Sequence, residues 1–189
     1  MSSVAEKRIT PEEYLRIERA AETKSEYDNG VVYAMAGASP EHNLIVMGLG
    51  SSLISHLPEH CRVYASDMKV RIQGPTRFYY PDATVVCGPP QYAEDERDVL
   101  LNPLIVFEVL SETTERHDRG RKFFSYQNIE SIQEYVLVWQ DEYRIEHYRR
   151  EGDQWLYSMA EGLDATLPLP AANCELPLRE IYRQVDLAA

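Results

Sequence analysis

Between residues 41 and 57 the apolar positions Ile45, Val46, Leu49, Leu53 and Leu57 recur every three or four residues, the spacing of an amphipathic helix, and Pro58 closes it. An earlier helix is predicted from Thr10 to about Ala21. Thr10 caps it, Pro11 takes the first helical position, Glu12 and Glu13 face the positive end of the dipole, and Tyr14, Leu15 and Ile17 supply a buried side. Between the two helices, residues 25–27 and 31–35 flank Asp28-Asn29-Gly30, whose Asn-Gly step suits a left-handed turn, so a β-hairpin is expected. Four short apolar runs follow at 61–64, 68–72, 83–87 and 104–110 and read as strands. The last, Leu-Ile-Val-Phe-Glu-Val-Leu, is apolar on both faces and reads as a central strand whose one charge is Glu108. Helical spacing returns from Asp118 to about Asn128, and 134–139 is again strand-like. Residues 143–150 and 154–160 read as an antiparallel pair across Glu151-Gly152-Asp153, and 178–185 as a short final helix. The order implies one α/β domain over 1–189, with 10–36 and 143–185 elaborating a core of helix, three strands, helix and strand.

Length and composition agree with that picture: 189 residues, 44% hydrophobic and 26% charged, are ordinary for one globular domain. No run approaches the roughly 20 apolar residues that span a bilayer, and Glu6, Lys7 and Arg8 interrupt any signal core, so no membrane association and a cytoplasmic location are expected. Cys61, Cys87 and Cys174 are widely spaced, with no CxxC pair and no histidine at zinc-finger distance, so all three are expected as reduced thiols. The net charge, 19 minus 31 or -12, argues against a broad, passive nucleic-acid surface. It is unevenly spread, because 61–81 carries Arg62, Lys69, Arg71 and Arg77 against Asp67 alone.

Asp82 follows Pro81 at the start of one apolar strand, and Glu108 lies inside another. An ionised carboxylate in so apolar a segment is costly without a partner, and a bound cation would remove that cost. Two carboxylates on neighbouring strands are the hard oxygen ligands that Mg²⁺ or Mn²⁺ takes. Lys122, four residues after Asp118 on one predicted helical face, would place a point charge on a phosphate oxygen or an attacking water. From spacing alone each residue also has a plain structural account: Asp82 as a strand-entry cap, Glu108 as half of an ion pair, Lys122 as a solvated helix charge. Arg116, His117, Arg119, Arg121 and Lys122 form a basic run that reads as a phosphate contact or as a solvated helix face. Tyr79-Tyr80 reads more readily as strand packing than as base stacking, and Ser111, Thr113 and Thr114 as a turn cluster rather than a nucleophile.

Pro81-Asp82, Glu108-Val109-Leu110-Ser111 and Asp118-Arg119-Gly120-Arg121-Lys122 together resemble the PD-(D/E)XK, or restriction-endonuclease-like, superfamily, in particular its Uma-type branch. The likeness extends through Glu26-Tyr27-Asp28-Asn29-Gly30, residues 35–40 with His42, and 134–138. It implies a mixed sheet flanked by the helices at 41–57 and 118–128, a Mg²⁺ (or Mn²⁺) site on Asp82 and Glu108, and hydrolysis of DNA. The parent motif carries a lysine two positions after the glutamate; Leu110 stands there, so the resemblance passes that role to Lys122. It also places Glu26 and His42 near the site as a second tier. A homodimer is expected, since closed dimers are common and cutting both strands takes two sites. The competing reading is a catalytically silent fold-mate acting as an interaction or regulatory module, which the acidic charge favours.

Overall fold

The computed structural model describes residues 8–35, 37–72, 74, 76–93, 97–111 and 114–187. Helix α1 (Pro11–Glu18) begins as expected, with Thr10 Oγ1 accepting from Glu13 N at 3.2 Å, but ends three residues before Ala21. Strands β1 (Ser25–Asp28) and β2 (Val31–Ala34) form the predicted hairpin, and Asn29 (φ 47) and Gly30 (φ 99) take the positive dihedrals its turn requires. Helix α2 (Pro40–His56) follows, with Ser39 Oγ accepting from His42 N at 3.0 Å.

Strands β3 (Cys61–Ala65), β4 (Lys69–Ile72), β5 (Arg77–Tyr79), β6 (Ala83–Cys87), β7 (Val99–Leu100) and β8 (Ile105–Leu110) come next. The helical segment after β8 is not one regular α-helix. It is α3 (Glu115–His117), a π-turn over Asp118–Lys122, and α4 (Phe123–Tyr126). Strand β9 (Glu134–Trp139), the hairpin β10 (Arg144–Glu151) and β11 (Gln154–Glu161), a second pair β12 (Thr166–Leu169) and β13 (Cys174–Pro177), and α5 (Leu178–Ile181) complete the fold.

The central sheet runs β11-β10-β9-β8-β6-β3. It is mixed, because β8 and β9 are parallel and the other pairs antiparallel. A parallel pair needs a crossover, and the segment α3 to α4 supplies it. One face packs Val85, Ile105, Phe107, Val109 and Val136 on Ile45, Leu49 and Leu53 of α2 and on Leu178 and Ile181 of α5. The other packs Val106, Leu110, Tyr135 and Leu137 on Tyr126 of α4 and on Val70, Ile72 and Tyr79 of a second sheet, ordered β2-β1-β5-β4-β7. Alternation along β8 therefore sends odd positions to the α2 side and even positions, Glu108 among them, to the side of the π-turn.

Several expectations are corrected here. Cys61 and Cys87 form a disulfide, because the β3–β6 register sets them directly opposite each other; their spacing of 26 residues hides that, and Cys174 alone is free among the described cysteines. Strands β5 and β7 span three and two residues, too short for a periodic signal, and the prolines Pro168 and Pro177 mask β12 and β13. The final helix stops at Ile181. No described helix is long and apolar enough to cross a membrane. Of the predicted turn cluster, Ser111 Oγ and Thr114 Oγ1 lie 3.1 Å apart, while Thr113, like the first seven residues, falls outside the described set.

Candidate metal centre

The antiparallel register pairs Ala83 with Phe107, so Asp82, one step further, faces Glu108 across the two strands. Residues opposite each other in such a pair share a face. Glu108 is buried, at 3% exposure, and Oε1 accepts from Lys122 Nζ at 3.2 Å and from Tyr126 OH at 3.3 Å. Asp82 sits at the mouth and keeps some solvent contact; its Oδ2 accepts from Val109 N at 2.7 Å and lies 3.3 Å from His42 Nε2.

Lys122 reaches the centre because of the π-turn. In a π-helix the backbone bonds span five residues rather than four, and such insertions turn a side chain out of its ordinary helical direction. The buried ammonium stands 3.0 Å from Glu26 Oε1, 3.2 Å from Glu108 Oε1 and 3.3 Å from Asp118 Oδ1. Glu26 arrives from the second sheet on β1 and is steadied by Tyr80 N at 3.1 Å. Asp118 Oδ1 is buried, and the approach of Lys122 is not aligned for a hydrogen bond, leaving that oxygen without a donor. Three carboxylates, Glu26 of the second sheet, Glu108 of β8 and Asp118 of the π-turn, thus converge on one ammonium.

The electrostatics follow from crowding. Burial pushes the Glu108 carboxyl well above its usual range; Lys122 opposes this, while Asp118, Asp82 and Glu26 add to it. Asp118 is pushed up by the same desolvation against the pull of Lys122. Burial works against the charge on Lys122, yet Glu108, Glu26 and Asp118 outweigh it and hold the ammonium protonated. His42 is disfavoured as a cation by burial, but its contact with Asp82 raises it on balance.

All five residues singled out from the sequence, Asp82, Glu108, Lys122, Glu26 and His42, lie in this one region: Lys122 joins Glu108 to Glu26, and His42 meets Asp82. Asp118, four positions before Lys122 and on one predicted helical face with it, is absent from the sequence-derived site, yet it shares the lysine at 3.3 Å. The basic run divides. Arg119 forks onto Glu146 and also binds Glu115, Lys122 is buried, and Arg121 contacts Asp28 at 2.6 Å, so it is neither a uniform phosphate track nor a solvated face. Tyr79 and Tyr80 are buried packing residues, with Tyr80 OH donating to Glu18 Oε1 at 2.9 Å.

The donor set suits a hard divalent cation. Four carboxylates, Glu26, Asp82, Glu108 and Asp118, face one lysine and one histidine, and one carboxylate oxygen lacks a donor. The carboxylates are not drawn into a closed cage. Among the described residues, the only three His, Cys, Asp or Glu groups with ligand atoms within 4.8 Å of one another are His60, Cys61 and Cys87, and those two sulfurs are already bonded to each other.

Comparison with known proteins agrees with this architecture. Residues 11–179 match Uma2, a family described as "putative restriction endonuclease". Two uncharacterized proteins of Synechocystis sp. are similar: one is 34% identical over 161 residues, covering 84% of this chain and 91% of that protein. The other is 33% identical over 178 residues, covering 93% and 92%. A crystal structure from Anabaena variabilis, described as a "putative nuclease belonging to DUF820", superposes with a TM-score of 0.71 at 20% identity, over 93% of this chain and 98% of that one.

Proposed function

The chain belongs to the Uma2 family, and from that premise we propose that it is a metal-dependent endonuclease that hydrolyses phosphodiester bonds of DNA at the Asp82–Glu108 centre. The observation that carries the reading is the pair of carboxylates, Asp82 at the entry to β6 and Glu108 within β8, with a buried lysine ammonium 3.2 Å from the second. Asp82 and Glu108 are the residues to hold Mg²⁺ (or Mn²⁺), which when bound supplies Lewis acidity toward a phosphate oxygen and acidifies water. Asp82 is the more exposed of the two, and the backbone N–H of Val109 fixes its carboxylate in orientation. Lys122 offsets negative charge as it develops on the phosphate, positioned by Glu26 and Asp118 so that little reorganisation is needed. His42 orients Asp82 from the start of α2. A homodimer belongs to the same proposal, since closed two-fold dimers are the commonest symmetric assemblies.

A second reading is a silent module in which Lys122 neutralises the carboxylates permanently; its closeness to three of them is the observation in its favour. Purified protein with DNA and Mg²⁺ or Mn²⁺ separates the two. The proposal expects cleavage that is abolished in Asp82→Ala and Glu108→Ala while both variants stay folded by circular dichroism. It also expects Mn²⁺ to stabilise the wild type but not Asp82→Ala, by about 2.7 kcal/mol at a hundredfold excess over Kd, read as a rise in melting temperature. Equal cleavage by all three proteins, or no metal effect on any, would reject it.

A further inference from the structure

Beside the carboxylate centre, Arg77, Arg121, Phe124, Ser125, Gln127 and Asn128 line a surface pocket of about 440 Å³. Phe124 is 69% exposed there, although its neighbour Phe123 is packed against Tyr135, Tyr148 and Trp155. A lone exposed aromatic is unremarkable by itself, so its surroundings decide its meaning. Arg77 Nε and Arg121 Nε bind opposite oxygens of Asp28 at 2.8 Å and 2.6 Å, two guanidinium groups on one carboxylate. The result is local positive charge on a chain whose net charge is -12. Asn128 Nδ2 donates to the Phe124 carbonyl at 2.8 Å and to that of Ser125 at 3.2 Å, holding the end of α4 in place under the ring.

The pocket adjoins the centre through the chain itself. Arg121 precedes Lys122, and Asp28 lies two residues from Glu26 on the same face of β1, a step of about 7 Å. An exposed ring next to guanidinium groups is the combination that binds one base by stacking and its phosphate by charge.

We infer that this pocket holds the nucleotide next to the cut, its base stacked on Phe124 and its phosphate on Arg77 and Arg121, so that the substrate is nucleic acid presenting an unpaired base at that position. The inference rests on the endonuclease reading and narrows its substrate. A base inside a duplex cannot offer its face to Phe124 without being unstacked first, and that cost sets single strands ahead of duplex.

The test is fluorescence anisotropy of the full chain with a short labelled single strand and with the blunt duplex of the same sequence, Ca²⁺ replacing Mg²⁺, alongside cleavage assays. The wild type should bind the single strand more tightly. Phe124→Ala should lose about tenfold or more on the single strand and little on the duplex, while Phe124→Trp, which keeps a stacking face, retains the affinity. Arg121→Ala should weaken both and reduce the salt dependence by roughly one phosphate contact. If Phe124→Ala binds the single strand as the wild type does, or the wild type prefers duplex, while wild-type cleavage still requires Asp82, this inference fails and the endonuclease reading stands. If the wild type neither binds nor cuts either form, both fail.

Discussion

Lys122 Nζ and Glu108 Oε1 stand 3.2 Å apart with both side chains buried, one carried by the π-turn and the other by the central strand β8. The contact holds two layers of the protein together and places the only buried ammonium of the centre. The lysine proposed to act on phosphate is therefore also a buried ion-pair partner, and variants of it must be read on both counts.

Lys122→Met removes the cation and leaves Glu108, Glu26 and Asp118 facing one another. Breaking a buried pair from one side costs about 3–5 kcal/mol, and that loss is expected at neutral pH. The sign with pH follows from the raised carboxyls of Glu108 and Asp118. A group whose folded-state pKa lies above its unfolded value contributes stability below the unfolded value and loses it as pH rises through the folded one. Without Lys122 these pKa values climb further, so the deficit against wild type should be small near pH 4 and widen above it. Chemical denaturation across that range measures it; a deficit independent of pH would contradict the role given to the lysine.

The Cys61–Cys87 disulfide closes a loop with a sequence separation of 26. On loop length alone, Cys61→Ala should cost about 2–4 kcal/mol under oxidising conditions. Under reducing conditions variant and wild type should melt close together. Thiol counting by mass spectrometry checks the bond directly: one reactive cysteine in the oxidised wild type is expected, Cys174.

Gly48 faces α5 so closely that an added Cβ would stand 2.1 Å from the Ile181 carbonyl oxygen, a backbone atom with no freedom to move aside. Gly48→Ala should therefore push α2 and α5 apart and destabilise the protein by about 1–3 kcal/mol, against the gain of about 1 kcal/mol that alanine normally brings to a helix interior. Gly50, two residues on, meets nothing within 4 Å, so Gly50→Ala is the matched control and should be neutral or stabilising. Thermal melts of the two variants decide it.

The amino-acid sequence by itself determined the parts that depend on near neighbours. The cap at Thr10, the Asn29-Gly30 turn, the period of α2 and the apolar runs of β6, β8 and β9 are local preferences, and the chain keeps them. It also marked Asp82 and Glu108, because a charge in an apolar strand is conspicuous whatever surrounds it. Only the tertiary structure decided what those charges meet. The β6–β8 register set Asp82 opposite Glu108, the β3–β6 register joined Cys61 to Cys87, and the π-turn swung Lys122 between carboxylates from two sheets and its own helix. Phe123 and Phe124 are the same residue type, yet packing half-buries the one and leaves the other exposed beside Arg121. Register and layer packing act between residues far apart in the chain, where spacing carries no signal, and they turn separate polar residues into one centre.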